Sequence, residues 1–198
     1  MKKIFITWTS KWIWNYLSKN LENNYNLFKI WGKKESDLTK IETIKKIWEK
    51  VKKENIIFDV LILNAWVWEF WNFESNSLEK YENIINLNLL ANIRLLKTLE
   101  KNINKNTKII FMGSIISKKF MKNAAVYQAS KFGLRWLAWW LKSEWKKVYL
   151  INPKIVNTDF HKEKIELSKK FPETKLEDIL KIVNWIIGWS EKRFEIDL

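Results

Sequence analysis

A chain of 198 residues suits one domain and is long enough to bury a full core. The absence of cysteine excludes a disulfide framework and thiolate metal sites and fits a reducing cytoplasm; a single histidine leaves no imidazole cluster for a metal. The formal charge of +14 would suit a nucleic-acid or membrane-surface partner, but the lysines are dispersed in pairs such as Lys45-Lys46, Lys52-Lys53, Lys118-Lys119 and Lys146-Lys147, without the dense block that specific nucleic-acid binding favours.

In chain order, short apolar runs alternate with longer helical patterns. Lys3–Thr7 reads as a first strand rather than a signal peptide, because Lys11 interrupts the apolar run and no small-residue cleavage site follows. A helix is predicted over Trp12–Asn24, a strand over Tyr25–Ile30 and a helix over Thr39–Asn55. Phe58–Asn64 is a continuous apolar strand of the kind buried on both faces. Ser77 or its neighbour caps a helix running to about Ile103, with Ile84, Leu87, Leu95 and Leu99 on one face. A strand at Lys108–Met112, a helix at Ala124–Glu144 and a strand at Val148–Asn152 follow, the last ended by Pro153. A helix over Leu176–Ile187 and a strand over Arg193–Asp197 close the chain; Phe160–Thr174 has no clear place in a sheet. No stretch reaches the 18 or so apolar residues of a membrane span. This alternation predicts a single α/β domain: a doubly wound parallel sheet in a Rossmann-type three-layer sandwich.

Two sequence features carry chemistry. Tyr127 and Lys131 are four residues apart and share a helix face. Ser114 lies thirteen residues earlier at the end of an apolar strand, where a parallel sheet opens its ligand crevice, and Asn88 sits on an otherwise apolar helix. The four form an acid/base constellation. The second feature is the segment Thr7-Trp8-Thr9-Ser10-Lys11-Trp12-Ile13-Trp14, which has the spacing of a phosphate-binding strand-to-helix turn with an indole at each of three glycine positions. Asn64-Ala65-Trp66 repeats the substitution after a later strand.

With these motifs in that order, the chain resembles the short-chain dehydrogenase/reductase family over essentially its whole length. The family's glycine-rich turn falls on Trp8, Trp12 and Trp14, its Asp-x-Thr element on Asp37-Leu38-Thr39, and its Asn-Ala-Gly motif on Asn64-Ala65-Trp66. Its catalytic tetrad falls on Asn88, Ser114, Tyr127 and Lys131, and its Pro-Gly and Thr on Pro153-Lys154 and Thr158. The resemblance implies an NAD(P)-dependent oxidoreductase acting on a carbonyl or alcohol substrate, as a homodimer or homotetramer. Tyr127 would exchange the proton, with its phenolate favoured by Lys131 and the oxidised nicotinamide. Lys131 would also hold the nicotinamide ribose, Ser114 the substrate oxygen, and Asn88 a water leading to solvent. Thr7, Trp8, Ser10, Lys11, Trp12, Ile13, Trp14, Lys33, Asp37, Leu38, Asn64, Ala65, Trp66, Tyr127, Lys131, Pro153 and Thr158 would line the cofactor.

Two departures bear on that implication. Lys154 replaces the glycine of the family's Pro-Gly, and indoles stand at its other glycine positions. An average chain of this length carries about 14 glycines, at roughly 7% usage; this one has 4 glycines and 14 tryptophans, which together approach ordinary glycine usage. Its richness in Lys, Asn and Ile indicates an AT-biased gene that should avoid UGG. The reading that reconciles these facts is that UGA encodes glycine in the native host and is written here as tryptophan. The alternative is a genuinely Trp-rich, non-catalytic protein with a blocked crevice and a basic, aromatic surface. Lys33-Lys34 after the second strand, with Lys11 in the turn, favour NADP over NAD, since an acidic residue there would suit the free ribose hydroxyls.

Overall fold

A computed structural model describes residues 1–8, 12–32, 36–67, 72–144, 147–156, 173–189 and 192–198. The order is β1 (Lys3–Thr7), α1 (Trp12–Leu21), β2 (Asn26–Ile30), α2 (Ile41–Lys53), β3 (Val60–Leu63), α3 (Leu78–Ile85) and α4 (Ala91–Thr98), then β4 (Lys108–Met112), α5 (Ala125–Glu144), β5 (Val148–Asn152), β6 (Ile155–Val156), β7 (Glu173–Thr174), α6 (Leu176–Gly188) and β8 (Glu195–Asp197).

Six strands form one parallel sheet in the order β2-β1-β3-β4-β5-β8. The chain reverses its winding at β1, so the crevice between the ends of β1 and β3 is the topological switch point where such sheets bind ligands. Among the described residues, one strand lies beyond β1, one fewer than in the 3-2-1-4-5-6 order of a full dinucleotide-binding sheet.

Alternation along the strands assigns the two faces. Phe5, Leu61, Leu63, Ile109, Phe111, Val148 and Leu150 pack with apolar residues of α2, α4 and α5. Ile4, Ile6, Val60, Ile62, Ile110, Met112, Tyr149 and Ile151 pack with Ile13, Leu17 and Leu21 of α1 and Ile179, Val183, Ile186 and Ile187 of α6. The four residues of β3 and the five of β5 are all buried, as expected for strands covered on both faces. No helix among the described residues is long and apolar enough to cross a membrane.

Two differences from the sequence reading matter for the site. The helix expected over 77–103 is interrupted: α3 passes into a π-helical turn at Asn86–Leu90 before α4, and a 3-10 turn at Glu100–Asn102 ends the run. Such turns place an extra residue in the helix and are frequent at functional sites; Asn88 is at the centre of this one. The other difference is a two-strand parallel ladder between Ile155–Val156 and Glu173–Thr174, which places the end of the unassigned Phe160–Thr174 stretch beside the chain just after Pro153.

Candidate active site

Thr7, Asn64, Ser114, Tyr127 and Lys131 meet at the carboxyl edge of the sheet. Thr7, the buried last residue of β1, accepts through Oγ1 from the backbone N–H groups of Asn64 (2.8 Å) and Ala65 (3.1 Å). One hydroxyl thus ties the end of β1 to the turn after β3 and fixes the walls of the switch-point crevice.

Past β4, Gly113 and Ser114 reach the same edge. Ser114 Oγ accepts from the Ile116 N–H (3.3 Å) and hydrogen-bonds Tyr127, lowering the pKa of that phenol. Tyr127 and Lys131 project from the first half of α5 and are buried; Lys131 is 1% exposed. Burial pushes the Tyr127 phenol well above its ordinary value against the opposing Ser114 hydrogen bond. Burial also lowers the Lys131 ammonium to about 7. Its Nζ donates to the Met112 carbonyl at 3.1 Å. This lysine therefore sits near the balance between its two protonation states at neutral pH.

Asn88 braces the site. Its Oδ1 accepts from the Val67 N–H (2.8 Å), and its Nδ2 donates to the Val67 carbonyl (2.9 Å) and to Ser130 Oγ (2.9 Å). The Asn88 carbonyl, in the π-turn, accepts from Asn92 Nδ2 at 2.8 Å. The side chain is thus committed to holding the segment after β3 against α5, one residue before Lys131.

The indoles are the anomaly. Trp8 has φ 62°, in the left-handed region that suits glycine, and its Nε1 is buried without a hydrogen-bond partner among the described residues. Trp66 donates from Nε1 to Asn64 Oδ1 (3.1 Å), lies 6.5 Å from the Tyr127 ring and covers the Lys131 ammonium at 5.1 Å. Asn64 Nδ2 is likewise buried without a partner among the described residues. Tyr127, Lys131 and the spare Asn64 donor fit a nucleotide cofactor. Indoles at 8 and 66 do not, because they fill the ends of β1 and β3 where that cofactor would enter.

The remaining sequence candidates divide. Ile13 packs in the core, and Trp12 and Trp14 lie in α1. Asp37 turns its Oδ1 onto Thr39 N (3.1 Å) and Oγ1 (2.7 Å), with Leu38 buried beneath. Pro153 is buried and its carbonyl accepts from the Ile115 N–H (3.2 Å), tying the loop after β5 to that after β4. Lys154 does not adopt a positive φ, so lysine is unstrained there, and its N–H donates to Thr174 Oγ1 (3.0 Å). Ser10, Lys11, Lys33 and Thr158 lie outside the described residues.

Sequence reading missed four supports. Ser130 Oγ donates to the Tyr127 carbonyl (2.7 Å). Asn92 holds the Asn88 carbonyl. Gln128 accepts from the Met121 N–H (3.0 Å) and donates to the Ile116 and Lys119 carbonyls, stapling the loop after Ser114. Asn152 receives the Ser114 N–H. The available signal was one of position: each is a polar residue inside an otherwise apolar strand or helix face.

Comparison with known proteins bears on the fold and the family. The sequence profile of the short chain dehydrogenase family matches residues 14–168. An uncharacterized oxidoreductase of Methylorubrum extorquens is 28% identical over 105 residues, which are 51% of this chain and 42% of that protein, so the match spans less than half of the relative. Among solved structures, a short chain dehydrogenase family protein from Francisella tularensis superposes with TM-score 0.86 at 22% identity, covering 100% of this chain and 97% of its own. An alcohol dehydrogenase from Thermococcus sibiricus, complexed with 5-hydroxy-NADP, superposes with TM-score 0.82 at 21% identity, covering 100% and 95%. A short chain dehydrogenase from Burkholderia cenocepacia in complex with NADP gives TM-score 0.84 at 14% identity, covering 100% and 96%. The structural likenesses establish the fold, and with the profile match over most of its length the chain belongs to the short chain dehydrogenase family.

Proposed function

We propose that the protein is a cytoplasmic NADP-dependent oxidoreductase that interconverts a carbonyl and an alcohol, with Tyr127 as acid/base. The observation that carries this reading is the buried pairing of Tyr127 and Lys131 on one face of α5, with Ser114 hydrogen-bonded to the phenol. Bound nicotinamide would supply the hydride to the carbonyl carbon. As that carbon is reduced, the Tyr127 O–H gives its proton to the carbonyl oxygen. The Ser114 hydroxyl donates to the same oxygen and keeps it next to the phenol. Lys131, one helical turn from Tyr127 on the same face of α5, stabilises the phenolate and returns a proton to it. Asn64 and Lys131 are the polar groups on the crevice wall available to hold the cofactor's sugars.

The reading includes glycine at positions 8, 12, 14 and 66 of the native polypeptide. The left-handed Trp8, its orphaned indole nitrogen and the indole over Lys131 support it. These same observations favour the second reading, a non-catalytic protein, for a chain that truly carries the indoles. Preference for NADP rests on Lys11, Lys33 and Lys34 and is in keeping with the NADP ligands named for the Thermococcus and Burkholderia proteins. Assembly as a homodimer or homotetramer is part of the proposal, with exposed Phe132 of α5 and Ile93 of α4 available for a contact.

Titration of nicotinamide fluorescence against the chain with Gly at 8, 12, 14 and 66 tests the assignment. NADPH binding tighter than NADH is expected; no binding of either would refute it, and a preference for NADH would refute the cofactor choice. Intact mass of protein from the native host, or TGA at those codons, decides the glycine assignment separately.

A further inference from the structure

We infer that Asn152 is a positioning residue that sets Ser114 against Tyr127, its amide held one way round by a balanced cluster of two carboxylates and two cations. The inference rests on the acid/base reading above. Asn152 is the last residue of β5 and is fully buried. Its Oδ1 accepts from the Ser114 N–H at 3.1 Å, and its Nδ2 donates to Glu195 Oε1 at 2.8 Å and to Asp197 Oδ1 at 3.0 Å.

A carboxamide has one donor end and one acceptor end. Two carboxylates from β8, whose Asp197 is in register with Asn152, compel the NH2 end to face them. The oxygen must then face the turn after β4. Arg135 of α5 holds Glu195 through two of its nitrogens, Nε at 2.7 Å from Oε1 and Nη2 at 3.1 Å from Oε2. Lys118 bridges Asp197 (2.7 and 2.9 Å) and Glu195 (3.1 Å). Burial alone would raise the Glu195 carboxyl, but hydrogen bonds from Arg135, Lys118 and Asn152 hold it at about 2, so the orienting charge persists across the working pH range.

The fit leaves no slack on the Ser114 side. A Cβ on Gly113 would fall 2.1 Å from Asn152 Oδ1, so the residue before Ser114 must be glycine for the amide to reach. Arg135 lies one helical turn beyond Lys131 on α5. One connected path of side chains therefore joins the helix that carries Tyr127 and Lys131, through β8 and β5, to the backbone of Ser114.

Tyrosine labelled with 13C at Cζ, in the full-length chain at neutral pH, reads the linkage without turnover. The Tyr127 resonance is assigned by its loss in Tyr127→Phe. Ser114→Ala should shift it, Asn152→Ala should shift it in the same direction, and the double variant should show no further change. Asn152→Asp places a third carboxylate against Glu195 and Asp197, opposed by Lys118 and Arg135. Ionised, this group can still accept from Ser114 but has no proton for Glu195 and is repelled by both carboxylates; protonated, it donates to Glu195 as the amide does, so its Tyr127 shift should return towards the parent value as pH falls, while that of Asn152→Ala should not. A Tyr127 resonance unmoved by Asn152→Ala, though moved by Ser114→Ala, would overturn the inference. Where Asn152→Ala does not fold, Asn152→Asp decides: no pH-dependent return overturns it. In turnover, Asn152→Ala should lower kcat about tenfold with NADPH affinity kept, and no further in a Ser114→Ala background. Activity surviving in Tyr127→Phe would defeat the acid/base reading but leave the resonance test standing.

Discussion

The Trp66 indole covers the Lys131 ammonium at 5.1 Å, and the same ring rests 6.5 Å from Tyr127. A desolvated cation–π contact of this kind contributes about 2 kcal/mol, so it holds the lysine in place while closing its approach. Trp66→Gly should uncover the ammonium. Protein with Gly at 8, 12, 14 and 66 should bind NADPH, and the chain with all indoles should not, as read by quenching or enhancement of nicotinamide fluorescence. Equal binding by both would show that the indoles leave the crevice open.

Trp8→Gly alone should be far milder than removal of an ordinary packed tryptophan. Deleting a large core aromatic costs about 3–5 kcal/mol. Here the substitution also relieves a left-handed backbone worth about 1–2 kcal/mol and an unpaired indole nitrogen worth about 1–3 kcal/mol. A net change within about 1 kcal/mol of the parent is expected by urea denaturation. A loss of about 3 kcal/mol or more would identify Trp8 as a true core residue.

Tyr127→Phe should abolish carbonyl reduction while cofactor affinity survives, because the ring still packs against Ile84, Ile116 and Ala124 and only the hydroxyl is lost. Ser114→Ala should reduce kcat by about a hundredfold, within the range for one positioned hydrogen-bond donor or proton-transfer group. Both are measured by NADPH oxidation across a panel of aldehydes and ketones. Turnover by the Tyr127→Phe variant near the parent rate would rule out the proton-transfer role.

Asn88→Ala should destabilise the fold as well as slow it catalytically. Three side-chain hydrogen bonds join Val67 to Ser130 through this buried residue, and their loss strands the Val67 N–H in a partly buried position. Roughly 2–4 kcal/mol is expected from the net value of each bond and the cost of an unpaired group. Thermal unfolding of the variant close to that of the parent would show that water replaces all three.

Much of this architecture was legible because it follows from periodicity. The apolar runs at Lys3–Thr7, Lys108–Met112 and Val148–Asn152 form strands with those same bounds. Tyr127, Lys131 and Ser114 were findable because a helix repeat and a strand end fix where they lie. The π-turn at Asn86–Leu90 was not, since an extra residue in a helix leaves the apolar pattern nearly unchanged. The bracing by Asn152, Glu195 and Arg135 was hidden for a different reason: its members come from three elements, and only the sheet order brings β8 against β5. The short ladder at Ile155–Val156 and Glu173–Thr174 is two residues per strand, below what alternation can signal.

Stability should depend on pH through Lys131. Burial lowers its folded pKa from the ordinary 10.5 to about 7, so between those values the unfolded chain binds more protons than the folded one. Stability must therefore rise with pH from about 7 towards 10, and the contribution is on the order of a few kcal/mol. Tyr127 has the opposite sign in a separate window: its raised folded pKa removes stability only as pH climbs above the ordinary 10.0 of an unfolded tyrosine. Melting temperatures taken from about pH 7 to 10 should rise in the parent relative to Lys131→Met, which has similar length and no titrating group. Parallel profiles for the two proteins would mean that Lys131 keeps its charge at no cost, through hydration or a counter-charge near its Nζ, and would leave Tyr127 without a near-neutral proton carrier beside it.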